Sequence, residues 1–419
     1  MIAALGRWFP ALAERPVRWY LAGQLVAVHG TFVLDITLNL LAWQLSSSPA
    51  VLGTLNFLLY GPGLVVLPMM SWRLHRGNAR WRTLAVLYGS ITVAVLLWGL
   101  QLAGWLTVPI MLVLAAIKGA FNGMEIPPRH MLIASIVEEH HRLPNALAMN
   151  TVVFQVARML GPALAAALFA TVGATWGFFV SGLALSFLAF CVWRSTAGID
   201  LSAPAPETAN QTSHQGGLRA AWVYARQDRF GSLFLPVSAS LALFGVTYQT
   251  LIPVLADQVY GNTQRWTAGF FAAAGGGALI AALLLSSRWM MRVLQRVQAL
   301  APWMVALALA GLGWVPVLAV SLLCFVVIGF GVTFVSTATN AYLQQRLPAH
   351  LRGGMIALYL TSFNAVVPFG QMLAGALAER GGALLAYQVS SMVLLACLTL
   401  LYFPRWWAAR HFETDATRL

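Results

Sequence analysis

Residues 145–173 read NALAMNTVVFQVARMLGPALAAALFATVG. The run is apolar and long enough to cross a bilayer, yet Arg158 stands at its midpoint. A guanidinium at that depth costs roughly 2.5–3.5 kcal/mol on insertion scales unless it faces protein, water or a counter-charge. Three residues later Gly161-Pro162 interrupts the helix ladder at the same depth. The stretch reads as a membrane-spanning helix built to hold something polar.

A second stretch repeats it. Laid without gaps on Ala146–Gly173, the segment Met355–Gly382 pairs Phe154 with Phe363, Gln155 with Asn364, Gly161 with Gly370, Leu164 with Leu373 and Gly173 with Gly382. Each copy follows a short basic segment, Arg142-Leu143-Pro144 and Leu351-Arg352-Gly353. Arg158 falls opposite Val367, so the scaffold is duplicated and the charge is not. Internal repeats of this kind place a binding site near the midplane of the bilayer.

Composition agrees. Of 419 residues, 59% are hydrophobic and 9% charged, against roughly 25% charged in a soluble domain. The formal charge of +13 comes from arginines clustered between apolar runs, without the basic-aromatic surface stripes of a nucleic-acid binder. The bilayer, not nucleic acid, is the expected partner. Cys191, Cys324 and Cys397 lie inside apolar runs at no metal-ligand spacing and read as small core residues.

Apolar runs bounded by charges and turns give twelve expected spans in two six-helix bundles, an all-α integral membrane fold. The first bundle covers residues 19–194, with spans Trp19–Gln44, Val51–Ser71, Thr83–Leu102, Val108–Ile133, Asn145–Val172 and Trp176–Trp193. The second covers 230–403, with spans Phe230–Ala256, Trp266–Ser286, Ala299–Gly313, Val315–Thr339, Met355–Ala378 and Leu384–Phe403. Residues 1–18 read as an amphipathic N-terminus, 195–229 as a linker and 404–419 as a tail. Arginines concentrate in the termini and in the loops after even-numbered spans, so the positive-inside rule puts both termini in the cytoplasm.

At Gln24 to Gly30, Trp43-Gln44-Leu45-Ser46, Pro127-Pro128-Arg129, Arg158-Met159-Leu160-Gly161-Pro162 and Leu343-Gln344-Gln345-Arg346-Leu347-Pro348, the chain resembles the major facilitator superfamily. The resemblance extends to its branch of enterobactin-type siderophore exporters and drug efflux proteins, over roughly Trp19 to Phe403. It implies proton-coupled alternating access in a bacterial inner membrane, with no cofactor. Two positions depart from the family pattern. Trp72 stands where the loop after span two usually carries an aspartate that helps latch the cytoplasmic side. Ala165-Ala166 replace paired glycines of the antiporter motif; residues this small still allow close helix approach.

Few charges lie within the spans. Asp35, Lys118 and Arg158 sit near span midpoints, with Glu125 and Arg129 deeper toward the cytoplasm. Lys118 is the chain's one lysine. It lies seven residues from Glu125, on the same helix face but about 10 Å away along the axis, whereas Glu125 and Arg129 are four apart and can pair. The expected site is a polar chamber beside spans one, four and five. Asp35 or Glu125 would be its proton-responsive carboxylate, and Lys118 and Arg158 would engage that carboxylate or a substrate anion. The alternative is a permanent ion network that only holds helices together. Phe154 is placed to line the chamber, and Tyr248, Gln249, Asn340 and Asn364 offer neutral polar groups from the second half. Arg73, Arg76, Arg129, Gly161 and Pro162 are assigned to gating. His29 is either a proton shuttle or a hydrogen-bonded structural histidine. Glu138-Glu139-His140-His141 reads as a solvated loop, since four consecutive residues cannot all face one metal.

Two functions compete within the resemblance. One exports a small anionic amphiphile such as a siderophore in exchange for protons; the other is a multidrug antiporter attracting cations to Asp35 and Glu125. An importer of the same fold is a third, weaker expectation. The sequence holds no nucleophile–base pair, HExxH, nucleotide loop or metal-ligand cluster, so no enzyme is expected. The transporter is expected to act as a monomer on a small molecule.

Overall fold

The computed structural model describes residues 10–74, 78–199, 216–227, 231–285, 288–346 and 349–416. Among these the chain is helical, with no strand. Its helices are α1 (Arg15–Ser46), α2 (Pro49–Leu74), α3 (Ala79–Leu102), α4 (Val108–Ile136), α5 (Leu143–Ser195), α6 (Gly216–Gln227) and α7 (Gly231–Ser240). They continue as α8 (Tyr248–Gln258), α9 (Thr263–Leu285), α10 (Arg288–Trp314), α11 (Leu318–Arg346), α12 (Ala349–Asn364) and α13 (Val367–Ala416). Among the described residues, ten helical stretches are long and apolar enough to cross a membrane.

Start signals are local. Prolines occupy the first turns of α1, α4 and α5, where a missing N–H costs no helix bond. The Asn78 side chain caps α3 by accepting from the Arg80 N–H at 2.9 Å. Large apolar side chains such as Val65, Met69, Leu183, Leu283, Leu323 and Leu400 remain exposed, as lipid-facing positions do.

Two helices are too long for one crossing. α5 has 53 residues and α13 has 50, about 75–80 Å at helical rise against a hydrocarbon core of about 30 Å. Each is broken inside by a glycine. Gly173 has φ 76 and ψ −177, and Gly382 has φ 76 and ψ 176, a backbone region that essentially only glycine enters. These are the two glycines paired by the internal repeat. Both breaks fall where the sequence reading ends one expected span and begins the next.

The paired glycines Gly161 and Gly370 also do one job twice. A Cβ on Gly161 would lie 2.6 Å from the Phe32 ring on α1, and one on Gly370 would lie 2.1 Å from the Leu243 carbonyl oxygen. In each half, the fifth crossing therefore meets the first at a glycine.

Several boundaries differ from expectation. The basic stretches before Ala299, after Thr339 and after Phe403 continue as helix in α10, α11 and α13. Arginine, glutamine and leucine are good helix formers, and no glycine or proline interrupts residues 288–298 or 340–346. The seventh crossing, expected as one continuous helix, is interrupted between α7 and α8 by a π-turn at Leu241–Gly245. That interruption lies where Gly370 approaches the Leu243 carbonyl. The chain groups into two compact units, one within residues 1–209 with 262–272 and one within 210–261 with 273–419.

Gly173→Ala and Gly382→Ala should each destabilise the protein by about 1–3 kcal/mol, because a Cβ is strained at this φ and ψ. Thermal unfolding in detergent should show both losses. Gly99→Ala in α3, where a Cβ meets nothing within 4 Å, should leave the transition unchanged or slightly raised.

Candidate functional site

The charged centre of the first unit is built from three helices, each contributing two side chains four residues apart. α1 supplies Asp35 and Asn39, α2 supplies Asn56 and Tyr60, and α4 supplies Lys118 and Asn122. That spacing places both members of a pair on one helix face.

Close backbone contact brings the faces together. A Cβ on Gly119 would lie 2.1 Å from the Leu58 carbonyl oxygen, and one on Gly123 would lie 2.3 Å from the Gly63 Cα. Gly119 and Gly123 are themselves four apart, so α4 lays a glycine groove against α2. At that separation Asn122 Nδ2 donates to the Leu59 carbonyl at 3.1 Å.

Asp35 is 5% exposed and Lys118 1%. Lys118 Nζ lies 2.8 Å from Asp35 Oδ1, and the Tyr60 hydroxyl donates to Asp35 Oδ2 at 2.9 Å. Lys118 also donates to Asn122 Oδ1 at 3.3 Å. One turn further along α1, Asn39 donates to the Asp35 backbone carbonyl at 2.8 Å and receives a bond from Asn56 Nδ2 at 2.6 Å. Each carboxylate oxygen thus has its own partner. A buried pair tolerates desolvation only with such extra bonds.

Arg158 stands apart. Its residue on α5 is exposed, and among the described residues it makes no ion pair. It lies within electrostatic reach of Tyr60, whose own residue is 39% exposed. Gly161, one turn on, packs on Phe32, itself one turn before Asp35, and so holds this part of α5 against α1. Tyr60 thus bonds the sealed ion pair and also feels the charge of the exposed Arg158 guanidinium. Of the two partners expected for Lys118, the carboxylate or a substrate anion, the structure places it against the carboxylate of Asp35, with Asn122 beside it.

The other sequence candidates sort by location. Glu125 and Arg129 form the expected i,i+4 ion pair, with Arg129 buried. Phe154 is half-buried on α5, and Pro162 is buried inside the same helix. Tyr248 is buried and receives a 3.4 Å contact from Gln249 Nε2. Asn364 is exposed and bonds the Leu360 carbonyl, whereas Asn340 is half-buried. Arg76 lies outside the described residues, and Arg73 is described only as backbone near the end of α2. His29 Nδ1 engages the Leu25 carbonyl at 2.7 Å, a local helix contact. In the acidic loop, Glu139 pairs with Arg142 at 2.7 Å, and Glu14 accepts the Glu138 N–H at 2.9 Å. Sequence reasoning missed Tyr60, Asn39, Asn56 and Asn122.

Comparison with known proteins agrees with this architecture. The profile of the Major Facilitator Superfamily matches residues 20–370. The chain belongs to that superfamily. A curated superfamily relative, the uncharacterized MFS-type transporter y4rN of Sinorhizobium fredii, is 26% identical over 230 residues. The match covers 54% of this chain and 54% of the relative, so the chain spans about half the length of the curated relative it matches. Among solved structures, the nucleoside transporter NupG aligns with TM-score 0.67 and 11% identity, over 93% of this chain and 98% of its own. A POT family transporter in complex with 5-aminolevulinic acid gives TM-score 0.69 at 11% identity, covering 93% and 96%. The human organic anion transporter MFSD10 gives 0.58 at 19% identity, covering 92% and 99%. At these identities the likeness shows the superfamily fold.

Removing one partner of the buried pair should be costly. Lys118→Ala should destabilise by about 3–5 kcal/mol, because Asp35 is left buried without its counter-charge. Asp35→Asn added to Lys118→Ala should recover a substantial part of that loss. Paired thermal melts of the single and double variants test both effects.

Proposed function

We propose that the chain is a secondary active transporter of small anionic amphiphilic metabolites, driven by the proton gradient through Asp35. The carrying observation is the division of labour among the charges. Asp35 and Lys118 neutralise each other in a sealed pocket, while Arg158 is exposed on a membrane-spanning helix and, among the described residues, makes no ion pair. An accessible intramembrane cation is stabilised when an anion arrives, which favours carboxylate or catecholate ligands.

The resemblance to siderophore exporters names one such ligand class and an outward direction. The multidrug reading is weaker on this geometry. A cationic drug would have to displace Lys118 from a pocket where the pair is almost wholly enclosed. In this reading the protein sits in a bacterial inner membrane with both termini cytoplasmic. It works as a monomer without a cofactor and catalyses no covalent chemistry. Arg129 with Glu125 serves the cytoplasmic gate, and Gly161-Pro162 serves the moving seam.

Reconstituted protein tests the assignment. Under an imposed pH gradient, Asp35→Asn should abolish gradient-driven flux of radiolabelled 2,3-dihydroxybenzoate, citrate or octanoate. Arg158→Gln should weaken binding of whichever anion is carried by about tenfold or more, since charge-assisted bonds to the anion are lost. Unchanged gradient-driven flux in Asp35→Asn removes Asp35 from coupling, and unchanged anion affinity in Arg158→Gln removes the anion site.

A further inference from the structure

The direction of transport depends on whether proton and substrate help or displace one another, and the pocket geometry bears on that sign. We infer that a proton on Asp35 and an anion at Arg158 bind cooperatively, linked by Tyr60 as a positioning residue, so that both cross the membrane in the same direction. This rests on the reading of Arg158 as the anion-binding group.

The argument begins with the ionised pocket. Asp35 Oδ1 holds Lys118 at 2.8 Å and Oδ2 holds the Tyr60 hydroxyl at 2.9 Å. Asp35, Lys118 and Arg158 then carry one net positive charge. Protonation removes the carboxylate charge and raises that sum to two, so the cluster attracts an anion more strongly. Protonation also converts the bond from Tyr60 from charge-assisted to neutral, roughly halving its strength. Tyr60 is partly exposed and within electrostatic reach of Arg158, so its released hydroxyl can donate to an anion held there. Both effects have the same sign. Linkage is reciprocal, so the anion must favour the proton equally.

The surrounding charges leave that sign intact. α2 presents Tyr60 to Asp35, α4 presents Lys118, and Arg158 on α5 acts across Tyr60. On α1 itself, His29 is turned to the Leu25 carbonyl, and Asn39 is neutral. Glu125 and Arg129 cancel each other closer to the cytoplasm. An inward proton gradient would therefore accumulate the anion, opposite to the export direction that the branch resemblance implies. A cation would couple oppositely, because it binds best when Asp35 is ionised.

The test uses purified full-length protein in nanodiscs under weak buffering. 2,3-Dihydroxybenzoate, citrate, octanoate and tetraphenylphosphonium are added in turn, with binding followed by calorimetry and protons by an indicator dye. The expected result is proton uptake with at least one anion, and about tenfold tighter anion binding at acidic than at alkaline pH. Asp35→Asn should mimic the protonated pocket, binding the anion tightly without pH dependence or proton uptake. Tyr60→Phe keeps the ring but loses the hydroxyl, and should bind with diminished proton uptake per anion. Anion binding with proton release, or with no proton movement, overturns the inference and leaves the anion site standing. Full proton uptake in Tyr60→Phe overturns the role of Tyr60. Binding of tetraphenylphosphonium alone overturns the anion reading beneath it, as does failure of all three anions.

Discussion

A buried lysine and a buried aspartate, 2.8 Å apart within a membrane-spanning bundle, are the constraint around which the first unit is arranged. Either charge alone carries a large desolvation cost at that depth, and even the pair needs further hydrogen bonds to offset it. Tyr60 and Asn122 supply them, and Asn39 with Asn56 fastens α1 to α2 one turn away. The glycines bring α4 close enough to α2 for Asn122 to reach the Leu59 carbonyl as well. Gly119, Gly123 and Gly63 remove the side chains that would hold α2 and α4 apart. The polar chemistry and the small-residue packing are therefore one device.

The duplicated scaffold shows what belongs to the fold and what belongs to the site. Gly161 and Gly370 bring the fifth crossing onto the first in each half, and Gly173 and Gly382 share one backbone conformation at the turn that follows. Those features recur because both halves must solve the same packing problem. Asp35, Lys118 and Arg158 have no charged counterparts within the second unit's spans, where Tyr248, Gln249 and Asn364 are neutral. The asymmetry of charge on a symmetric scaffold marks the first half as the chemical side.

Much of this was legible before any coordinates. The repeat aligned both glycine pairs correctly because steric necessity leaves few alternatives at a close contact or a positive φ. The midplane charges stood out because a hydrocarbon environment makes each one conspicuous. What escaped was partnership across helices. The sequence left Lys118 between a carboxylate and a substrate anion because no sequence rule reports that it faces Asp35 rather than a cavity. Tyr60 was overlooked because a tyrosine in an apolar run resembles ordinary packing. A signal was present, however: Asp35 with Asn39, Asn56 with Tyr60 and Lys118 with Asn122 all repeat a four-residue spacing of polar side chains. Three such stripes in three spans imply one shared polar interface. The helical continuation of the basic loops escaped for a different reason, since composition flags charge but does not stop a helix.

The placement of Arg158 outside the sealed pair has a consequence for how a transporter of this kind discriminates. If substrate touched Lys118 directly, binding would require opening the Asp35 ion pair, and each turnover would expose a buried charge. On the proposed reading, with Arg158 as the anion-binding group, the pair would stay closed to substrate while its protonation state was still felt outside. The carboxylate would then act as a switch without acting as a ligand. Substrate chemistry would then rest with residues around Arg158 on α5, such as Phe154 one turn away, rather than with the pair. Coupling and selectivity would, on that reading, be separable properties of neighbouring helices.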